Sequence, residues 1–205
     1  MKLYWYWSFN PQKIRLALEC LKLPYTLIEV DLGGGQQRDS AFLQLNPNGK
    51  VPVLEAHGHS WWESNAILTY LGEYQGQMWP DDAVGRAEVA RWLYFEARHL
   101  SEPIGQLWFN RYVLPLMQRQ MTAESQQRLQ RAEFELPALL RVLEQHLQGR
   151  PWMYGQRLSL LDCCYGPLLD ALQLSRFKLD DYPNLNRYLR AMRALPAWHA
   201  CDFRR

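Results

Sequence analysis

Apolar side chains recur at helical spacing between residues 11 and 23, where Ile14, Ala17, Leu18 and Leu21 fall on one face. Before that stretch residues 2–7 are aromatic and apolar almost throughout and read as a strand; after it residues 25–31 return to β-type side chains. A strand, a helix and a second strand in this order predict a parallel pair with a crossover helix, because no tight turn brings a chain back into a sheet in the same direction. Residues 32–40, with Gly33, Gly34 and Gly35, read as a loop. Residues 51–54 and 60–62 flank His57-Gly58-His59 as a hairpin, and residues 64–74 are predicted to close this half as a helix.

The texture then changes. After the stretch GQMWPDDAVGR, which carries the Pro and Gly of a linker, no period-two pattern recurs and helical periodicity runs almost to the end. Long helices are expected over residues 86–114, interrupted at Glu102-Pro103, and over 123–147, with Pro137 as a kink or boundary. Shorter helices are expected at 160–174 and 183–195. Ser159 and Asp162 fit a capping box that starts the first of these, with Leu158 and Cys163 as its hydrophobic staple. The expectation is a mixed α/β unit over residues 1–76 and an all-α unit over 85–205.

Composition narrows the function. Forty-eight per cent apolar residues suffice for a core, and 23 Lys and Arg against 21 Asp and Glu leave a net charge of +2. That balance offers no electrostatic footprint for nucleic acid or for a membrane surface. No apolar run approaches the ~20 residues of a spanning helix or the core of a secretion signal, so a cytoplasmic protein is expected. Cys20, Cys163, Cys164 and Cys201 show no metal-ligand spacing and no disulfide framework, and read as reduced thiols. His57 and His59 lack a third ligand and read as a solvated turn rather than a metal pair; Arg187, Arg190 and Arg193 read as a solvated basic stripe.

The stretch NPNGKVPVLE, residues 46–55, places Pro52 inside what otherwise reads as a buried strand. A cis Val51-Pro52 bond resolves the conflict, since it would turn the N–H and C=O of Val51 outward as an edge for an extended, peptide-like ligand. Ten or so residues later Glu63-Ser64-Asn65 opens a helix. Its free N–H groups and the Ser64 hydroxyl suit a ligand carboxylate, and Glu63 suits an ammonium group. Taken singly, Ser64 is an ordinary cap and Glu63 a solvated carboxylate. Together with Val51 they describe a clamp for a short γ- or α-linked peptide.

Asn46-Pro47-x-Gly49-Lys50-Val51-Pro52-x-Leu54, followed by Glu63-Ser64-x-Ala66-Ile67-x-x-Tyr70-Leu71, resembles the glutathione-binding half of the cytosolic glutathione transferases. The similarity extends to SFNPQKIRLALECLKLPY, to RWLYFEARHLSEP and to the capping box, and so spans most of the chain. The resemblance implies a thioredoxin-like N-terminal domain, an all-α C-terminal domain, glutathione as cosubstrate, no metal, a small-molecule electrophile and a homodimer. It implies that Val51 pairs with the cysteinyl backbone of glutathione, that Pro52 is the cis residue, that Glu63 and Ser64 hold the γ-glutamyl end, and that Lys50 and Gln37 lie near the glycyl carboxylate. Ser8 matches the serine of theta- and delta-like members and would donate a hydrogen bond to the thiolate. Asn10 is its competitor, although it also fits the N-cap of the first helix with Pro11 at the first helical position. Tyr4 and Tyr6 are further candidates that packing also explains, and Trp108, Arg111 and Tyr112 would line the electrophile pocket.

Three functions remain open on these residues: transfer of glutathione sulfur to an apolar electrophile, glutathione-dependent reduction of a disulfide or peroxide, and ligand binding without turnover.

Overall fold

The computed structural model describes residues 1–201; positions 202–205 of the expected helical unit lie outside the described residues. The sheet has four strands in the order β2-β1-β3-β4, formed by β1 (Lys2–Trp5), β2 (Thr26–Glu29), β3 (Val53–Ala56) and β4 (His59–Trp62). β1 and β2 run parallel and are joined through α1 (Phe9–Cys20); β3 lies antiparallel to both β1 and β4. Strand alternation divides the core. Leu3, Trp5, Leu54 and Ala56 point to the main core shared with the helices, whereas Tyr4 and Val53 point to a smaller cluster with Val30 and Phe42.

Phe42 comes from a helix that the sequence pattern does not reveal, α2 (Ser40–Leu45), preceded by a single 3₁₀ turn at Gln36–Arg38. With Phe42 as its one buried side chain, α2 has no periodicity to detect. β1 and β2 are also shorter than expected, and β3 starts two residues later, at Val53. β1 ends at Trp5 because Tyr6 and Trp7 leave the sheet for the start of α1, and β2 is confined to the four residues that pair with β1.

α3 (Ser64–Gln75) closes the first half. The expected long helix over 86–114 is one continuous path built from α4 (Ala83–Phe95), a π turn at Glu96–Leu100, α5 (Ser101–Trp108), a second π turn at Phe109–Val113 and α6 (Leu114–Leu116). Pro103 does not interrupt it. Proline has no N–H for the carbonyl one turn back, and the widened turn that precedes α5 absorbs this defect. α7 (Ala123–His146) likewise runs through Pro137 without ending.

α8 (Leu160–Leu174) is the central helix, buried on all sides from Leu160 to Leu172, and packs against α1, α3, α4 and α5. Its capping box forms as expected, with Ser159 N–H and Oγ–H donating to Asp162 Oδ2 at 2.7 and 2.8 Å. α9 (Pro183–Arg193) and α10 (Pro196–Ala200) complete the described chain. The arginine stripe is not merely solvated: Arg193 ion-pairs with buried Asp170, and Arg187 donates to the carbonyls of Leu147 and Arg150. Arg190 alone of the three stays exposed.

Candidate functional site

The site grows from one end of the sheet. β1 and β3 pair Tyr4 with Val53, and β3 and β4 pair Val53 with Trp62. Val51 lies two residues before β3, Tyr6 directly after β1 and Ser64 two residues after β4, so all three leave the sheet at the same end. The antiparallel registers therefore bring the strand-to-helix turn at Ser8, the bend at Val51 and the start of α3 to a single edge.

The loop before β3 is organised by Asn46, which is 2% exposed. Its Oδ1 accepts from Asn48 N–H at 2.9 Å, its carbonyl from Gly49 N–H at 2.9 Å, and its Nδ2 donates to the Lys50 carbonyl at 2.6 Å. Gly49 has φ +62°, and a Cβ there would stand 3.1 Å from the Gln37 carbonyl oxygen, so both its conformation and its close approach favour glycine. The Val51-Pro52 bond is cis. Among the described residues the N–H and C=O of Val51 enter no hydrogen bond, leaving a backbone edge of the kind that pairs with an extended ligand.

Glu63 precedes α3 with φ 67° and ψ 113°, a conformation rarely adopted by a residue with a side chain. Its carbonyl still accepts the first helical bond, from Ile67, at 3.0 Å. The Glu63 carboxylate is exposed and, like the Ser64 hydroxyl, makes no hydrogen bond among the described residues. Strain of this kind costs of order 1–3 kcal/mol and is retained where the surrounding fold dictates it.

Beneath that turn lies a buried polar relay. Asn65 Nδ2 donates to the Leu93 carbonyl at 2.8 Å and to Glu96 Oε2 at 2.9 Å; Glu96 Oε1 receives the Lys13 ammonium at 2.8 Å. Lys13 and Glu96 are each 1% exposed. Burial pulls the Lys13 pKa down, but the Glu96 carboxylate with which it ion-pairs offsets this and leaves the ammonium above its ordinary value. Burial keeps the Cys164 thiol protonated, so the Glu96 carboxylate is the counterion. The relay ties α1 and α3 to the π turn after α4.

Ser8, not Asn10, occupies the N-cap of α1: the helix begins at Phe9, which puts Asn10 and Pro11 inside the first turn. The expected cap at Asn10 is displaced by two residues because β1 ends early and the helix starts at Phe9. The Ser8 backbone is extended at φ −161° and its hydroxyl makes no capping bond, so the group is half-exposed and uncommitted at a helix N-terminus. The Asn10 side-chain oxygen is buried with no partner among the described residues, as is the whole amide of Gln12, one turn beyond Ser8. Tyr4 is withdrawn from the site. It donates to Glu55 at 2.5 Å, and that bond, with burial, pushes its pKa up to about 12. Tyr6 lines the same cleft as Ser8.

That cleft, of about 630 Å³, is walled by Tyr6, Trp7, Trp108, Phe109, Val113, Leu116 and Met117, with Glu29 and Arg119 as its charged residues. The Trp7 ring lies 5.6 Å from Trp108 and 5.5 Å from Tyr112, and Trp108 meets Phe9 edge-on at 5.7 Å. Trp108 therefore lines the cleft and Tyr112 buttresses it through Trp7. Arg111 does neither, because its guanidinium ion-pairs with Glu133 of α7. Sequence reading missed Trp7, Phe109, Leu116, Met117 and Arg119; Trp7 lies about 100 positions from the other four, and no local signal joins them. The remaining expected residues sit at the loop side: Gln37 is half-buried with its Oε1 unpartnered among the described residues, and Lys50 is exposed. His57 Nδ1 pairs with Tyr70 OH at 2.5 Å within an aromatic group that includes Tyr74 and Trp61.

A family model for the glutathione S-transferase N-terminal domain matches residues 1–73, and one for the glutathione S-transferase C-terminal domain matches residues 108–200. The chain is 31% identical over 195 residues to the disulfide-bond oxidoreductase YfcG of Escherichia coli K12, covering 92% of this chain and 87% of that protein. It is 32% identical over 194 residues to glutathione S-transferase GstB of the same organism, covering 93% and 91%. The crystal structure of a glutathione transferase from Burkholderia graminis, with two glutathione molecules bound per subunit, superposes with a TM-score of 0.85 at 32% identity, covering 98% of this chain and 87% of that one. Both halves of the chain and their order are matched, and the four-stranded sheet with its helical partner is the same architecture: the chain belongs to the glutathione S-transferase superfamily.

Proposed function

We propose that this chain is a glutathione transferase that binds glutathione along the Val51 edge and delivers its sulfur, as thiolate, to an apolar electrophile in the aromatic cleft. Residues 1–76 carry the glutathione side and 85–205 supply most of the electrophile side. Val51 pairs with the cysteinyl backbone, held by cis Pro52; Glu63 takes the γ-glutamyl ammonium, and Ser64 with the α3 N-terminus takes its carboxylate. Gln37 and Lys50 face the glycyl end. The observation that carries this reading is the uncommitted Ser8 hydroxyl at the N-terminus of α1, on the wall of a cleft lined by indole rings.

A hydroxyl donating to a thiolate contributes ~1.5–3 kcal/mol, which lowers a thiol pKa by roughly 1–2 units. A thiol of ordinary pKa near 8.5 then ionises substantially around neutrality, helped by the helix N-terminus. Sulfur attacks the electrophilic carbon, the carbon–leaving-group bond breaks, and the thioether departs. Ser8 lends only its hydrogen bond and forms no covalent link.

The test is Ser8→Ala with thiolate absorbance followed against pH. Glutathione binding should persist, and turnover near neutrality should fall about 10- to 100-fold. The deficit should shrink as pH rises and the thiol ionises unaided. Superimposable titrations with unchanged turnover would move the role to Asn10 or Tyr6.

Similarity to a disulfide-bond oxidoreductase favours a second reading, glutathione-dependent disulfide reduction, with the orphaned Asn10 side chain near the sulfur. Activity on a small disulfide that is lost in Asn10→Ala but kept in Ser8→Ala would select it. We also propose a homodimer, supported by exposed apolar side chains on α3, α4 and α7: Tyr74, Tyr94 and Phe134, the last 86% exposed. Light scattering should return twice the chain mass.

A further inference from the structure

A second, much smaller cavity of about 20 Å³ lies behind the wall of the cleft, bordered by Trp7, Ser8, Gln12, Trp108 and Asp170. Trp7, Ser8 and Trp108 border the cleft as well, so the two spaces share that wall. Gln12 sits one turn beyond Ser8 on α1, its N–H donating to the Ser8 carbonyl at 3.3 Å, and residues four apart lie on one helix face. Gln12 is 2% exposed, and neither the nitrogen nor the oxygen of its amide has a hydrogen-bond partner among the described residues. A buried amide left unpaired is strongly disfavoured, which marks a place where something else completes its bonding.

Two further polar groups meet there. Asp170 is buried; its Oδ1 takes the Nε and Nη2 donors of Arg193, and its Oδ2 takes none among the described residues. The Ser8 hydroxyl sits at the N-cap without making a capping bond. A buried water needs about 10–15 Å³ and two to four polar partners, and this cavity supplies both. Asn10, whose amide oxygen is also unpaired, does not border it.

We propose, building on the role given to Ser8 above, that Gln12 is a positioning residue: through one water held in this cavity, its amide turns the Ser8 hydroxyl hydrogen toward the glutathione sulfur. The water accepts from Gln12 Nε2 and donates one hydrogen to Asp170 and the other to Ser8 Oγ. A Ser8 oxygen that accepts from behind directs its own hydrogen forward, to the cleft. Hydrogen bonds in series polarise one another, which strengthens the last of them, the one to the thiolate. The indoles of Trp7 and Trp108, 5.6 Å apart, form the wall between this water and the cleft. No bond forms or breaks and no proton changes owner; only the direction of the hydroxyl is set.

The experiment compares two substitutions in the full chain. Gln12→Met keeps the length of the side chain without its hydrogen bonds, whereas Gln12→Ala opens space for a further water where the amide stood. In Gln12→Met the thiolate titration of bound glutathione should move up by roughly 0.3–1 pH unit. Its kcat near neutrality should fall about 2- to 10-fold with KM for glutathione unchanged. Gln12→Ala should lose less than Gln12→Met, the reverse of what packing alone dictates. On a Ser8→Ala background neither substitution should move the titration further. A crystal structure with glutathione should show a water within hydrogen-bond distance of both Gln12 and Ser8 Oγ. The proposal is overturned, with the role of Ser8 left standing, if Ser8→Ala moves the titration and Gln12→Met does not, if the Gln12→Met effect persists without the Ser8 hydroxyl, if Gln12→Ala loses more than Gln12→Met, or if the amide touches glutathione directly. A Ser8→Ala titration identical to the parent's would instead overturn the role of Ser8 itself, and that of Gln12 with it.

Discussion

Replacing Lys13 by Met removes an ammonium that is sealed from solvent and leaves the Glu96 carboxylate buried with only Asn65 to satisfy it. Both partners are 1% exposed and 2.8 Å apart, so solvent does not screen the loss. Breaking one side of such a buried pair costs about 3–5 kcal/mol, because the orphaned charge keeps its desolvation penalty. For a chain of this length each kcal/mol moves the unfolding midpoint by roughly 2–4 °C, so a fall of roughly 6–20 °C is expected. Glu96→Gln alone should cost a similar amount. The double variant Lys13→Met/Glu96→Gln retains an oxygen for Asn65 and carries no buried charge. It should therefore be more stable than either single variant, with a coupling of about 2 kcal/mol or more. Urea denaturation of the parent and three variants measures all of this. A Lys13→Met cost below about 1 kcal/mol, or additive single costs, would show that the relay is not a coupled buried pair.

Glu63→Gly should raise stability by relieving the φ 67° conformation, by up to about 1–3 kcal/mol, while weakening glutathione binding through loss of the carboxylate; equal affinity in calorimetry would remove Glu63 from the clamp. Asp162→Ala should cost more than the about 1 kcal/mol of a simple cap, since Asp162 accepts from Met153 N–H and Tyr188 OH as well as from Ser159. Each buried donor left unpaired adds about 1–3 kcal/mol, and glutathione affinity measured below the melting transition should be unchanged. His146 lies against Trp92 at 4.1 Å and donates to the Met153 carbonyl; burial lowers its pKa below the ordinary 6.5. The unfolded chain therefore takes up this proton first, and the imidazole's contribution, complete above about pH 6.5, is lost on acidification. His146→Gln should flatten that loss between about pH 7.5 and 5.5. Asp162, raised to about 6 chiefly by burial, contributes the opposite slope, so the difference between parent and variant is the quantity to measure.

Local chemistry made much of this protein legible in one dimension. The NPNGKVP stretch announced a turn and a conflicted proline because Asn, Gly and Pro act on their own backbone. The Ser159–Asp162 box did so because a cap spans three residues. The strand, helix, strand order required a parallel pair, and the change from period two to period 3.6 separated a mixed half from a helical one. What escaped depended on partners far along the chain. Asn10 with Pro11 is the cap that the sequence suggests for α1; where β1 stops pairing moves it to Ser8. Lys13 belongs to the buried interior only because Glu96 arrives 83 positions later. Arg111 is the arginine expected at the pocket, yet it turns to Glu133 and Arg119 borders the cleft instead. The π turns carry no signature, since they record how a helix adjusts to its neighbours rather than what its residues prefer. The sequence by itself determined the backbone edge and the α3 start that suit a peptide, because both are built within a few residues. Only the tertiary structure decided what faces that edge, because the cleft joins side chains about 100 positions apart and arises from packing α1 against the helical half.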